Sequence, residues 1–401
     1  MSSFFYTWTA QSNAQTLDVA GTDGSFLILK TGARFDDFIS TSFQTNFGHK
    51  NSKIMAAISA QLNQMPIAAP KWDFELKESV SAQLKRLLGF ASGKIFYTTS
   101  GAEAVENALK IARQITGKTK ILARNNSYHG ATLGALSVTG DWRNKAHKTL
   151  NDWTVRIPEP MHDPNLEITE KVILQNDPAT IAAFCLETIS GTNGVIIPSQ
   201  NWWDGIQALA KKYGILLIVD EVLVGFGRTG SDFAFQNFYI KPDMVTMSKG
   251  ITGGYIPFGA LWCHSRIADF YQDNVLACGL TQYAHPLGLA ALGSVLEILK
   301  SIEFKNLQQE NLKLIELYLT RLKRLETVSD VRVAGMLAAV DLRIPVNPAE
   351  FSKRNLFVFT KPNQVIIAPV LTCKPNDLIS GLNRFCDAIV AHRISPKSLS
   401  L

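Results

Sequence analysis

Chemically useful side chains stand at the ends of short apolar runs in this sequence. SKGITGG (Ser248 to Gly254) sets a lysine there, followed by glycines. A lysine withdrawn from water loses basicity and becomes a nucleophile toward an aldehyde. DEVLVGFGRTG (Asp220 to Gly230) begins where the run ILLIV stops. A carboxylate there needs a partner. One candidate is the ring nitrogen of a cofactor such as pyridoxal phosphate, which the ion pair keeps protonated as an electron sink; the others are the loop that follows, which the carboxylate would cap, and Arg228. SGAEAVENALKIAR (Ser100 to Arg113) joins an apolar run to a helical stretch. The free amides and dipole of a helix start favour a phosphate, with the Ser100 hydroxyl as a further donor. The same serine also suits a plain helix cap. In YHG (Tyr128 to Gly130) the aromatic ring can stack on a flat cofactor or serve the core.

These residues need a scaffold that gathers strand ends. KIFYTTS (Lys94 to Ser100), TKILAR (Thr119 to Arg124), TIAAFCLE (Thr180 to Glu187), ILLIVDE (Ile215 to Glu221) and DMVTMSKG (Asp243 to Gly250) read as strands. AEAVENALKIARQI, with Val105, Ala108, Leu109 and Ala112 on one face, reads as a helix, and so does WWDGIQALAKKYG, which stops at Gly214. Continuous apolar strands alternating with helices predict an α/β domain with a mostly parallel sheet, covered on both faces. Ligands of such sheets bind beyond the carboxyl ends of the strands, where Ser100, Glu187, Asp220 and Lys249 all fall.

From about residue 286 the texture changes. PLGLAALGSVLEILKSI and NLKLIELYLTRLKRL are helical, the second with Leu312, Ile315, Leu319 and Leu322 on one stripe. VRVAGMLAAVDLR and QVIIAPV are strand-like, and a last helix runs from about Asn376 to His392. We expect a large cofactor-binding domain over 46–285, a small α+β domain over 286–401, and an N-terminal segment, 1–45, docked on the small domain.

Composition excludes several classes. Among 401 residues, 46% are hydrophobic and 18% charged, which argues against disorder. The net charge of +6 is spread along the chain without a basic stripe, so no nucleic-acid partner is expected. The first residues lack the basic head and apolar core of a signal peptide, and no run is long enough to span a bilayer. No membrane partner and a cytoplasmic location are expected. Cys185, Cys263, Cys278, Cys373 and Cys386 are scattered, as reduced thiols would be, and suggest no metal site.

SGAEAVENALKIAR, YHGATLGALSVTG, DEVLVGFGRTG, SKGITGGYIPFGA and LTQYAHPLGLAAL, in this order, resemble the class III (ornithine, γ-aminobutyrate and ω-amino acid) aminotransferases from about Phe5 to Phe385. The resemblance implies the fold type I architecture of pyridoxal-phosphate transferases. It implies transfer of an amino group from an amine or ω-amino acid to a keto acid. Lys249 would carry the cofactor as a Schiff base and shuttle protons. Asp220 would hold the ring nitrogen, with Val222 under the ring and Tyr128 over it. Ser100, Gly101 and Ala102 would bind the phosphate, and His129 and Glu187 would lie near the cofactor. Thr281, four residues before His285, would reach the phosphate of a neighbouring subunit, which implies an obligate homodimer. A racemase or epimerase, an aminomutase or a decarboxylase on the same scaffold is the alternative.

The sequence departs from the ornithine and γ-aminobutyrate enzymes at three positions. Leu223 stands where they carry a glutamine, Thr192 where they carry a switch glutamate, and Ile366 where they carry its partner arginine. Joint loss of the glutamate and the arginine leaves no lone charge in a pocket, so no ornithine-type carboxylate clamp is expected. FFYTWTAQ (Phe4 to Gln11) and LFVFTKPNQ (Leu356 to Gln364) resemble the ω-amino acid and taurine-type branch. Tyr6 and Trp8 are therefore substrate-pocket candidates. Lys361 stands where that branch has an arginine. It either holds a substrate acid group, without the bidentate fork, or is an exposed loop lysine.

Overall fold

The computed structural model describes residues 3–14, 16–147 and 152–392. Its strands in chain order are β1 (Val19–Asp23), β2 (Phe26–Leu29), β3 (Arg34–Asp37), β4 (Lys94–Thr98), β5 (Lys120–Arg124), β6 (Thr154–Ile157), β7 (Ile181–Glu187), β8 (Leu216–Asp220), β9 (Met244–Met247), β10 (Gly259–Cys263), β11 (Val328–Val333), β12 (Ala338–Leu342), β13 (Leu356–Phe357), β14 (Phe359–Lys361) and β15 (Gln364–Ile367). Among the described residues they build three sheets, ordered β1-β2-β3-β13, β4-β10-β9-β8-β7-β5-β6 and β11-β12-β15-β14.

In the seven-stranded sheet, β5 to β9 pair with one another or with β6 in parallel. Successive side chains point to opposite faces, so each apolar run feeds two cores. Ile121, Ala123, Ala183, Cys185 and Ile218 pack with Val105, Ala108, Leu109 and Ala112 of the helix Gly101–Thr116. Leu122, Phe184, Leu186, Leu217 and Val219 join the larger core, with Trp202, Trp203 and the helix Pro286–Lys300. Fully burying one such aliphatic side chain contributes roughly 1.5–3 kcal/mol.

β10 departs from the parallel pattern, running antiparallel to both β4 and β9. A parallel crossover needs a dozen or more residues, usually a helix. Residues 248–258 hold only the 3-10 turn Lys249–Thr252, then Gly253 and Gly254 at positive φ. The chain must reverse, and the reversal leaves Lys249 at the carboxyl end of β9. The ends of β4, β5, β7, β8 and β9 therefore share one edge.

The third sheet is antiparallel throughout. VRVAGMLAAVDLR divides into β11 and β12 at Gly335 (φ 66°), where a Cβ would lie 2.5 Å from the Thr229 backbone. β3 runs parallel to β13, with Leu356 opposite Asp36. Ser40 Oγ donates to the Ala368 carbonyl at 2.6 Å and Arg384 pairs with Asp36 at 2.5 Å. Buried Arg228 donates to the carbonyls of Met336 and Pro369, to Ser40 Oγ and to Asn46 Oδ1, tying N-terminal, central and C-terminal parts together.

Candidate active site

A cavity opens beyond the shared strand ends, ahead of the helix Gly101–Thr116. Lys249 lines it. Its φ of 43° is in the left-handed region, which costs of order 1–3 kcal/mol in a non-glycine residue. Burial pulls the ammonium pKa below its ordinary value; Asp220 and Glu187 oppose the shift and Arg143 adds to it. The result is an amine more readily freed of its proton than a surface lysine.

Asp220 ends β8 and is gripped by three donors. Its Oδ1 accepts from Val222 N at 3.0 Å and Thr246 Oγ1 at 3.1 Å, and its Oδ2 lies 2.7 Å from His129 Nδ1. Facing a carboxylate, Nδ1 carries the ring proton. Burial works against an imidazolium here, but Cys185 and Asp220 beside the ring hold its pKa well above the usual histidine value. Arg228 does not pair with Asp220; its partners lie elsewhere.

Glu187 ends β7 in register with Asp220. Its oxygens accept from Ser190 Oγ at 3.0 Å, Gly191 N at 3.2 Å and Tyr128 N at 3.3 Å. Ser100 caps its helix by accepting from Glu103 N at 3.2 Å, which leaves its own proton to donate. The first-turn amides of Gly101 and Ala102 have no acceptor within the helix. Two close approaches shape this corner. A Cβ on Gly101 would lie 2.8 Å from Val222 Cγ1, and one on Gly130 would lie 2.6 Å from the Ala102 Cβ.

Leu223, Ile189 and Thr192 form another part of the wall. Behind Leu223 and Ile189 pack Phe43, Phe359 and Ile366. Phe43 ends a run, Ser40 to Phe43, in which every φ lies between 44° and 69°. Such a left-handed run costs roughly 1–2 kcal/mol per residue. Asp37 offsets this by accepting from Thr41 N at 2.9 Å and Thr41 Oγ1 at 2.6 Å. The positions of Thr192 and Ile366 thus carry no charge into the cavity.

At the mouth, the Arg143 guanidinium lies 4.4 Å from the Tyr128 ring centroid, 5.1 Å from that of Trp8 and 5.3 Å from that of Trp142. Arg143 pairs with Asp141, and Asp141 accepts from Asn193 at 3.4 Å. Lys361 Nζ donates to Asn193 Oδ1 at 3.2 Å, and burial lowers its pKa. Lys361 is thus half-buried beside the mouth rather than a free loop lysine.

Of the sequence candidates, Gly101, Ala102, Tyr128, His129, Glu187, Asp220, Val222 and Lys249 all line the cavity. Ser100 stands at its edge, as the cap of the adjoining helix. Trp8 meets Tyr128 edge to face, with centroids 6.3 Å apart. Tyr6 does not line the cavity; its backbone exchanges two hydrogen bonds with the Gln11 side chain. Thr281 is exposed, outside the cavity of its own chain. Sequence reasoning missed Arg143. The only local signal was an arginine next to Trp142, soon after YHG; the cage also needs Trp8, which tertiary folding supplies.

The chain matches the family model for Aminotransferase class-III over residues 8–389. It belongs to the class III aminotransferases. The aminotransferase is 29% identical to a probable gamma-aminobutyrate transaminase 3, mitochondrial, of Oryza sativa subsp. indica, over 92% of this chain and 81% of that one. It is 29% identical to the acetylornithine aminotransferase of Bacillus anthracis, over 91% and 92% of the two chains. The solved structure of taurine:2-oxoglutarate aminotransferase from Bifidobacterium kashiwanohense, in complex with PLP and glutamate, is similar with a TM-score of 0.91 at 30% identity, covering 96% of this chain and 95% of that one.

The aminotransferase therefore has the α/β fold of the pyridoxal-phosphate transferases and uses pyridoxal phosphate. The cavity fits that cofactor. It offers the Lys249 amine, the buried Asp220 carboxylate and a helix start with unpaired amides. When bound, pyridoxal phosphate supplies the electron sink for proton loss at the amine-bearing carbon. Among the described residues no cluster of His, Cys, Asp and Glu could hold a metal ion. Among them, too, no helix is long and apolar enough to cross a membrane.

Proposed function

We propose that this transaminase takes its amino group from a donor with a distal acid group, an ω-amino acid or ω-amino sulfonate, and passes it to a keto acid. Arg143 carries this reading. Its side chain is largely buried against three aromatic rings, and its Nε has no hydrogen-bond partner. A desolvated guanidinium with spare donors suits an acid group bidentately. Lys361 adds a second cation, linked to Arg143 through Asn193 and Asp141. The uncharged wall at Ile189, Thr192 and Leu223 offers no competing site. The taurine:2-oxoglutarate relative supports the same class of donor.

In this reading Lys249 attaches the cofactor and moves the proton between the donor carbon and the cofactor, while Asp220 holds the ring nitrogen. Glu187, Tyr128 and Val222 keep the ring in place. We propose further that the enzyme works as a homodimer in the cytoplasm. Thr281 lies outside its own cavity, available to a partner subunit, and exposed Ile67, Trp72, Val275 and Leu276 offer apolar surface for a second copy. Five free cysteines suit a reducing compartment.

The test is a panel of paired donors, each amine with and without a terminal carboxylate or sulfonate, followed as the lysine-bound cofactor absorbance is lost and restored by a keto acid. Arg143→Met should raise KM for acid-bearing donors about tenfold to a hundredfold, since hydrogen bonds to charged groups contribute roughly 1.5–3 kcal/mol. Neutral amines should be little affected. Equal loss on both sets would sink this assignment.

A further inference from the structure

A guanidinium is sealed into the protein at the end of β5. Arg124 is fully buried. Its Nη2 donates to the Glu187 carbonyl at 3.0 Å and lies 3.8 Å from Glu187 Oε2, while Nε lies 4.0 Å from Glu159 Oε2. Arg124 Nε and Nη1 and Glu159 Oε2 have no hydrogen-bond partner among the described residues. Glu159 and Glu187 are themselves buried. Breaking a buried ion pair leaves a strongly unfavourable lone charge. A cation with so few hydrogen bonds therefore acts here through its charge more than through its bonding geometry.

We infer that Arg124 is a positioning residue of the transamination site, holding the Glu187 side chain in place beside Lys249. The Glu187 oxygens are held on their other side as well, Oε1 by Gly191 N and Oε2 by Tyr128 N and the Ser190 hydroxyl. The charged groups around Glu187 come from five places: Arg124 on β5, Glu159 after β6, Asp220 on β8, Lys249 after β9 and Lys361 on β14. His162 acts on Glu159 from the same segment. Glu187 acts on Lys249, whereas Arg124 stands behind Glu187 and works through it. This role does not depend on which donor the enzyme takes.

The experiment follows the pH titration of the lysine-bound cofactor absorbance in the full-length enzyme. In Glu159→Gln protein, Arg124 serves Glu187 alone and the titration midpoint should stay as in the wild type. In Arg124→Met/Glu159→Gln protein, the Glu187 carboxylate loses its brace and moves away from Lys249, so the midpoint should fall by about 1 pH unit. Glu187→Gln should reproduce that fall, and Arg124→Met should add nothing to it. Arg124→Lys keeps the charge and should keep the midpoint; it also serves if the double variant fails to fold, because a fall in this variant contradicts the inference. A folded double variant with an unshifted midpoint and only a lower Tm means a purely structural role. A rise means that Arg124 acts directly on the cofactor. Either outcome overturns the inference.

Discussion

The roles we propose for Lys249 and Asp220 depend on neighbours that neither could supply alone. Burial frees the lysine amine, and three donors aim the carboxylate. Lys249→Ala should abolish transamination and the lysine-bound cofactor absorbance while the fold persists. A borohydride-reducible adduct on another lysine would contradict this. Asp220→Asn should lower kcat on the order of a thousandfold, because the charge opposite the ring nitrogen is lost. His129 lies one contact further back. His129→Phe removes the 2.7 Å contact to Asp220 and should lower kcat roughly tenfold to a hundredfold, as loss of an orienting partner does at other sites. Unchanged kcat would show that the Asp220 grip does not depend on the ring. The segment YHG stood out in the sequence, and its Tyr128 and His129 line the cavity. That His129 braces Asp220 across 91 positions was not, because the contact exists only once β5 and β8 share a sheet edge.

At the scale of elements, Glu221 ties the end of β8 to a short helix beyond it. It is fully buried and accepts from Ala234 N at 2.9 Å, Phe235 N at 2.8 Å and Thr188 Oγ1, so it starts the helix Ala234–Asn237 and fixes the loop that carries Leu223. Burial pushes its pKa up from 4.5 to about 7. Between those two values the folded protein keeps a proton that the unfolded chain has released. Stability should therefore fall as pH rises from about 4.5 to about 7. Glu221→Gln should flatten that slope, read as Tm against pH; an unchanged slope would assign it to other groups. Gly101 is a second elemental constraint. Gly101→Ala should destabilise by roughly 1–3 kcal/mol, since the new methyl would meet Val222 and Ser248. Helix faces and the strands β5, β7, β8 and β9 could be read from periodicity. β10 could not, because GALWC comes after a glycine-rich loop and its direction is fixed by the short link from β9.

At the scale of the whole molecule, the site draws on distant parts of one chain and, in our proposal, on a second chain. Thr281→Ala should weaken cofactor affinity about tenfold to a hundredfold, the worth of one hydrogen bond to a phosphate. Cofactor retention should also fall on dilution below the dimer dissociation constant. Mixing Thr281→Ala with Lys249→Ala chains gives heterodimers in which one site carries both lesions and the other neither, so activity should partly return. At limiting cofactor, a mixture no more active than the sum of its two parents, despite subunit exchange, would place Thr281 outside the partner's site. The sequence by itself determined the α/β class and the cofactor, and it singled out Lys249 and Asp220 as the residues we propose to hold it. Those signals are local, because apolar periodicity and strand-end motifs need only neighbouring residues. Only the tertiary structure decided how Arg143 is caged and how Arg124 and His129 stand behind Glu187 and Asp220. Each of these depends on residues far apart in sequence, and the packing that brings them together leaves no mark in local spacing.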